Sequence, residues 1–227
     1  MRNIFLLFFF SFAGFSQTSG IAYYGIQLPE YKGKNGEKSD ILSEAKKVAE
    51  SHNFILEFNE TQSHFYLSNE MENEGANVLI NGVANIISGH ENYYDKGKQL
   101  SINKHVDGIL IKDKNAVKSW TITNETKVID NYLCYKAEFI KKYKGYNGEM
   151  SKTIIAWFAP SLPFPFGPNS YNGLPGLVLE LIETGEKVKT YFIKKIELKE
   201  QSILIKFPEG KVLTEEEFMK NSTYIPK

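Results

Sequence analysis

The sequence predicts a mainly β fold: an antiparallel meander forming a curved sheet or a partly closed barrel, with one or two short helices. Three observations carry this. Apolar runs of strand length alternate with turn residues along most of the chain. Thirteen Tyr and sixteen Phe stand against two Trp, a balance that suits half-buried strands. The 227 residues are 42% hydrophobic, enough to bury one core.

Taken in order, the elements follow from local chemistry. Asp40 is placed to cap a helix whose apolar positions Ile41, Leu42, Ala45, Val48 and Ala49 fall on one face. Strands at 78–80 and 83–87 flank Asn81-Gly82, a strong hairpin signal because both residues tolerate positive φ. Further strand pairs are expected at 108–112 with 116–123, 132–143 with 150–159, and 177–182 with 187–198. A last apolar run covers 202–207, and Thr214-Glu215-Glu216-Glu217 has the spacing of a helix capping box. The runs Ile154 to Phe158 and Leu177 to Leu179 are apolar on both faces. Such strands belong at the centre of a sheet, covered on both sides or facing a dry cavity.

Domain organisation and compartment follow from composition. Arg2 and the apolar stretch 4–15, with small residues at Gly14 and Ser16, predict a signal peptide over 1–16. That stretch of about twelve residues is shorter than the roughly 20 that a spanning helix needs. Residues 17–227 are expected to form a single β-rich domain with no transmembrane segment, exported to the periplasm or cell surface. Lys+Arg and Asp+Glu are equal at 27 each, which disfavours a nucleic-acid partner. Cys134 is the only cysteine, so no intramolecular disulfide and no four-cysteine zinc site can form. It sits in a strand-like run and reads as a small buried hydrophobe.

Residues 159–176 form the distinctive segment, a crossover loop rich in proline and aromatic residues that holds five of the eight prolines. Proline fixes φ and removes a donor, so the loop is a rigid connection. Two readings apply to its aromatic residues: they plug the end of the core, or they present a preorganised contact surface. On the second reading Trp157, Phe158, Phe164, Phe166, Tyr171 and Leu174 bind an apolar ligand or a partner. Gly173, Pro175 and Gly176 read as structural turn residues. Gly176, directly after proline, takes the positive-φ place of a type II turn, and Gly173 leaves room for close approach.

The hexapeptide Gly173-Leu174-Pro175-Gly176-Leu177-Val178 resembles the signature of the GLPGLI family of exported proteins from Gram-negative bacteria, with Val178 in place of isoleucine. Lys118-Ser119-Trp120, the run 126–137, Ala156-Trp157-Phe158 and Gly167-Pro168 resemble that family too. The family is known as one of unknown function. The resemblance implies export and an envelope role, and it supplies no catalytic residues.

No sequence motif for catalysis, metal or cofactor binding is present. The histidines 52, 64, 90 and 105 lack the spacing of a helical metal site. His90 and Glu91 would point to opposite faces of a strand, whereas His105 and Asp107 would share one. Glu180 interrupts an apolar strand and is expected to face outward or to pair with Lys189 or Lys194. The expected function is an exported, non-enzymatic envelope protein that binds an apolar ligand or an envelope partner. The alternatives are a scaffold component without a pocket and a hydrolase of an envelope polymer. A cavity lined by Trp157 and Phe158 favours a ligand, a flat aromatic patch favours a partner, and converging carboxylates favour an enzyme.

Overall fold

The computed structural model describes residues 18–30, 40–68, 79–80, 82–84, 91–105, 107–145, 148–185 and 188–221. The predicted signal peptide lies outside them, as do Val78, Asn81, residues 85–87 and His90.

The described residues form one sheet of twelve strands, mainly antiparallel and not closed into a barrel. In chain order the elements are β1 (Ser19–Gln27), α1 (Asp40–Ser51), β2 (Phe54–Asn59), β3 (Gln62–Leu67), β4 (Glu91–Asp95), β5 (Leu100–Lys104) and β6 (Leu110–Lys112). There follow β7 (Thr121–Ile129), β8 (Tyr132–Gly145), β9 (Gly148–Ala159), β10 (Leu177–Glu183), β11 (Lys189–Lys199), β12 (Val212–Thr214) and α2 (Glu215–Asn221). The spatial order is β12-β6-β5-β4-β3-β2-β1-β11-β10-β9-β8-β7. Two meanders therefore meet at β1, which pairs with β2 on one side and β11 on the other. The single parallel pair is β12 with β6.

Local chemistry sets the turns. Asn59 Oδ1 accepts hydrogen bonds from the backbone N–H of Thr61 at 3.0 Å and Gln62 at 2.8 Å, closing the β2–β3 hairpin. Asp130 and Asn131 both take positive φ, 48° and 65°, as a two-residue hairpin between β7 and β8 requires. The capping box forms as its spacing demands: Glu217 N–H donates to Thr214 Oγ1, and Thr214 N–H donates to Glu217 Oε2.

Three expectations are corrected. Leu79, Ile80 and residues 82–84 are helical, so the Asn81-Gly82 hairpin does not form. Ile80, Val83 and Ala84 recur at helical spacing and pack on the core, and that burial outweighs the turn signal. The runs 108–112 and 116–123 do not pair: β6 pairs with β5 and β12, whereas β7 pairs with β8. Between them Asp113 Oδ1 accepts from the N–H of Asn115 at 2.8 Å, which turns the chain inward. The run 202–207 forms no strand.

The inner face carries the main core. Ala22, Tyr24, Leu56, Phe58, Phe65, Ile154, Ala156, Phe158, Leu181 and Tyr191 point to it, and Ala45 and Ala49 of α1 pack there as well. Two β-bulges tune what faces inward. One lies where β1 passes Lys194 of β11. It shifts the strand's phase, so Tyr191 and Ile193 share the core with Ile196 and Leu198, which simple alternation would send to opposite faces. The other lies between Val178 and Glu180 of β10; Val178 and Leu179 are both buried and Glu180 emerges outward.

The run 202–207 instead packs over the outer face of β4–β6. Ile205 joins Tyr93, Ile102 and Leu110 in a second, smaller cluster, and Asn59 Nδ2 donates to Ile203 O at 2.9 Å.

Candidate functional site

The crossover loop is folded into the inner face. Phe166 is 0% exposed, and Phe158, Phe164, Tyr171 and Leu174 are also buried. The Phe58 ring lies 4.6 Å from Phe164 and 6.2 Å from Phe166, and Tyr94 lies 6.1 Å from Phe166. The loop thus crosses from β9 to the inner side of β2 and β4. Its backbone groups are satisfied at close range: Gly167 N–H donates to Asn172 Oδ1 at 3.1 Å, Gly173 N–H to Pro165 O at 2.9 Å, and Val178 N–H to Phe166 O at 3.0 Å. The Trp120 indole N–H donates to Asn172 O at 3.0 Å and fixes the far end.

The two signature glycines exchange their expected roles. Gly173 takes positive φ, 99°, and a β-carbon there would meet open space. Gly176 does not take positive φ. A β-carbon on it would collide with the Ala159 carbonyl, 2.7 Å from the carbon, and with Pro160 Cα at 3.0 Å. Close backbone approach therefore fixes Gly176, and turn geometry fixes Gly173.

Trp157 and Phe158 are adjacent on β9 and point to opposite faces, so they cannot line one cavity. Phe158 belongs to the core, while Trp157 is half-buried on the outer face. Register places Trp157 beside Glu180, Ile155 beside Ile182, and Glu180 beside Phe192. Ile155, Trp157, Ile182 and Phe192 thus share the outer face around Glu180, and Phe192 is 37% exposed. Glu180 faces outward as expected, but its partner is Lys127 of β7 at 2.7 Å, not Lys189 or Lys194. The Lys127 ammonium lies 4.4 Å from the Trp157 ring centre and so spans the intervening strands over the indole. Cys134, beside Lys127 in register, is fully buried, and burial pushes its thiol up to about 11. That is the wrong direction for a nucleophile.

A polar cluster on the outer face of β2–β5 escaped the sequence reading. Register aligns Glu57 with His64 and His64 with Tyr93. The imidazole is sandwiched by the rings of Tyr93 at 4.0 Å and Tyr66 at 4.4 Å. Glu91 receives His64 Nε2 at 2.8 Å, the Tyr93 hydroxyl at 2.6 Å and Lys104 Nζ at 2.9 Å. His64 and Glu91 lie 27 positions apart and meet only through strand register, so no local motif announces the cluster. His105 and Asp107 do approach, at 2.9 Å, on an exposed turn. Among the described residues no group of three or more His, Cys, Asp or Glu could hold a metal ion.

Glu91 is a fixed anion. Burial alone would raise its pKa, but hydrogen bonds from His64, Tyr93 and Lys104 outweigh that and hold the carboxyl at about 2. A depressed carboxylate adds stability above its unfolded pKa and loses it as pH falls toward the folded value. Glu91→Gln is expected to cost about 2 kcal/mol near neutral pH, allowing for partial exposure. It should also flatten the acid limb of a urea-measured stability profile between about pH 5 and pH 2. An acid limb unchanged by the substitution would show that the cluster contributes no net stability.

Residues 144–180 match the family model described as Protein of unknown function (Porph_ging). The match contains the hexapeptide and agrees with the resemblance to the GLPGLI family. No curated protein matches the chain. Among solved structures the chain is similar to PNGF-II in space group P21, with 15% identity and a TM-score of 0.50 over 87% of this chain and 32% of that one. The same protein in space group C2 gives 14% identity and a TM-score of 0.49 over 87% and 31%. The chain spans about a third of the length of the solved protein it resembles, and the likeness is one of fold. Among the described residues no helix is long and apolar enough to cross a membrane.

Proposed function

We propose that the protein is exported to the Gram-negative envelope and acts there without catalysis, docking an envelope protein on the outer face of β8–β11. The observation that carries this reading is the asymmetry of that face. Over β4–β6 it is covered by the chain's own run 202–207. Over β9–β11, Ile155, Trp157, Ile182 and Phe192 are left half-buried or exposed among the described residues. Large aromatic side chains left partly open beside charges such as Lys127, Lys136 and Glu138 suit a protein interface. The loop aromatics Phe164 and Phe166 pack against Phe58 and Tyr94 of the sheet, which favours a partner over a ligand held by the loop. Export rests on the leader-like residues 1–16.

Native mass spectrometry of the protein taken from its own envelope tests both halves of the proposal. The expected species begins near Gln17 and carries a stoichiometric protein subunit. That subunit should be lost when Trp157→Ser and Phe192→Ser are combined, with the fold retained by circular dichroism. A lone chain, or a subunit retained by the double variant, overturns the docking site. An intact 1–16 segment overturns export.

A further inference from the structure

Beyond the last pairs of its neighbours, the β8–β9 hairpin runs on alone. Pairing with β7 ends at Thr121 opposite Glu138, and pairing with β10 ends at Glu183 opposite Ile154. β8 continues through 139–145 beside 148–153 of β9, and one further bond, from Thr184 N–H to Thr153 O at 3.0 Å, touches the β9 side. The chain leading into β7 does not cover the β8 side. Trp120 turns instead to the crossover loop, its indole N–H on Asn172 O and its ring centre 5.7 Å from that of Phe139. A two-stranded ribbon is marginal by itself, and this one has an open edge.

The β7–β8 turn fixes where that edge points its hydrogen bonds. Ile129 and Tyr132 flank the two-residue loop and exchange both bonds, so even-numbered residues of β8 face the β7 side. The N–H and C=O of Ile140 and Lys142 therefore point past the end of β7, where no backbone group meets them among the described residues. The two ends of the sheet are blunted in ways that this edge is not. β12 is three residues long, and β7 breaks register where Glu125 N–H turns back to Thr123 Oγ1 at 3.2 Å. The β8–β9 register runs without a shift from Tyr135 to Gly145. Its apolar side chains are uncovered too: Ile140 is 63% exposed and Tyr143 39%.

Charge selects the occupant. Residues 139–145 contain three lysines and no acid. Lys144 has Glu149 opposite it in register, whereas the exposed Lys142 has Ser151 and makes no ion pair among the described residues. An antiparallel second copy centred on Lys142 would set that lysine against itself, and a slip of register would set Lys141 against Lys142. Like charges directly opposite one another are destabilising. We propose that the 139–145 edge of β8 takes up an extended acidic segment of a partner protein as an added strand, in line with β7. Main-chain hydrogen bonds to Ile140 and Lys142 hold the segment, and acidic side chains opposite the lysines select it. Neither Trp157 nor Phe192 takes part, so this site and the outer-face docking site are tested separately.

The probe is the peptide Thr-Val-Glu-Glu-Val-Thr, whose symmetry lets it pair in either direction with Val at Ile140 and Tyr143 and Glu at Lys141 and Lys142. It is titrated by NMR into the isotope-labelled chain from Gln17 onward. Saturable binding is expected, at least tenfold tighter than that of the same peptide with Lys in place of Glu. Amide exchange at Ile140 and Lys142 should slow on binding, and this needs no variant. Ile140→Pro removes an outward N–H without touching the bonds to β9. It should keep the fold and weaken binding at least tenfold, whereas Ile140→Thr should weaken it less than threefold. Lys142→Glu should reverse the preference between the two peptides. Absence of saturable binding, equal affinity for both peptides, or exchange unchanged at Ile140 and Lys142 overturns the site. So does binding that survives Ile140→Pro. A peptide-free dimer in sedimentation velocity that Ile140→Pro dissolves assigns the edge to a second copy and overturns the proposal as well.

Discussion

Gly176→Val is expected to lose about 3 kcal/mol of stability in urea denaturation, well beyond Gly185→Val, which should lose about 1 kcal/mol. The two glycines differ in what surrounds them. Gly185 has φ of 136° and open space around it, so valine there meets only backbone strain. At Gly176 a β-carbon would press on the Ala159 carbonyl and Pro160 Cα. That carbonyl already accepts the Leu162 N–H at 3.1 Å, and Leu177 pairs with Ala159 in the sheet. Neither side can retreat without opening the β9–β10 ladder. Equal losses at the two positions would remove close approach as the reason for glycine. Gly173→Ala separates the other glycine's role: it should cost only the roughly 1 kcal/mol of a left-handed residue.

Phe166→Ala should be costlier still, about 3–5 kcal/mol, because a fully buried phenyl ring leaves a cavity among Phe58, Tyr94 and the loop itself. Trp157→Ala, on the half-buried outer face, should cost clearly less. Thermal or urea denaturation of the pair decides whether the loop aromatics are core. If Phe166→Ala unfolds no more easily than Trp157→Ala, the loop is not the plug its burial implies.

The sequence was most readable where local chemistry and long-range packing agree. The β8–β9 and β10–β11 hairpins match expectation to within a few residues, because long apolar runs bracket glycine-containing turns. Helix α1 and the capping box at Thr214 were legible from spacing alone. Strands β1 to β5 were not anticipated. They are short or rich in residues such as Gly, Asn, Glu and His, and they earn their places by pairing with neighbours rather than by pattern. The same cause hid the polar contacts. His64 meets Glu91, and Glu183 meets Lys152, only once register has aligned strands distant in sequence. The bulge at Lys194 breaks simple alternation along β11, since one extra residue reverses every side chain beyond it. Glu180 meets Lys127 because the folded sheet brings β7 within reach of β10.

The position of β1 bears on how the chain must assemble. Its partner on one side is the adjacent β2, but on the other it is β11; the Thr18 hydroxyl donates to Glu200 O across 182 positions of sequence. The two meanders, each rich in near-neighbour pairs, are joined along that one seam. Closing a loop of this length carries a large entropic cost before any contact rewards it, so the seam should form late and slowly. Until β11 has emerged, one edge of β1 is an unpaired template, and the first half of the sheet stays open to the last.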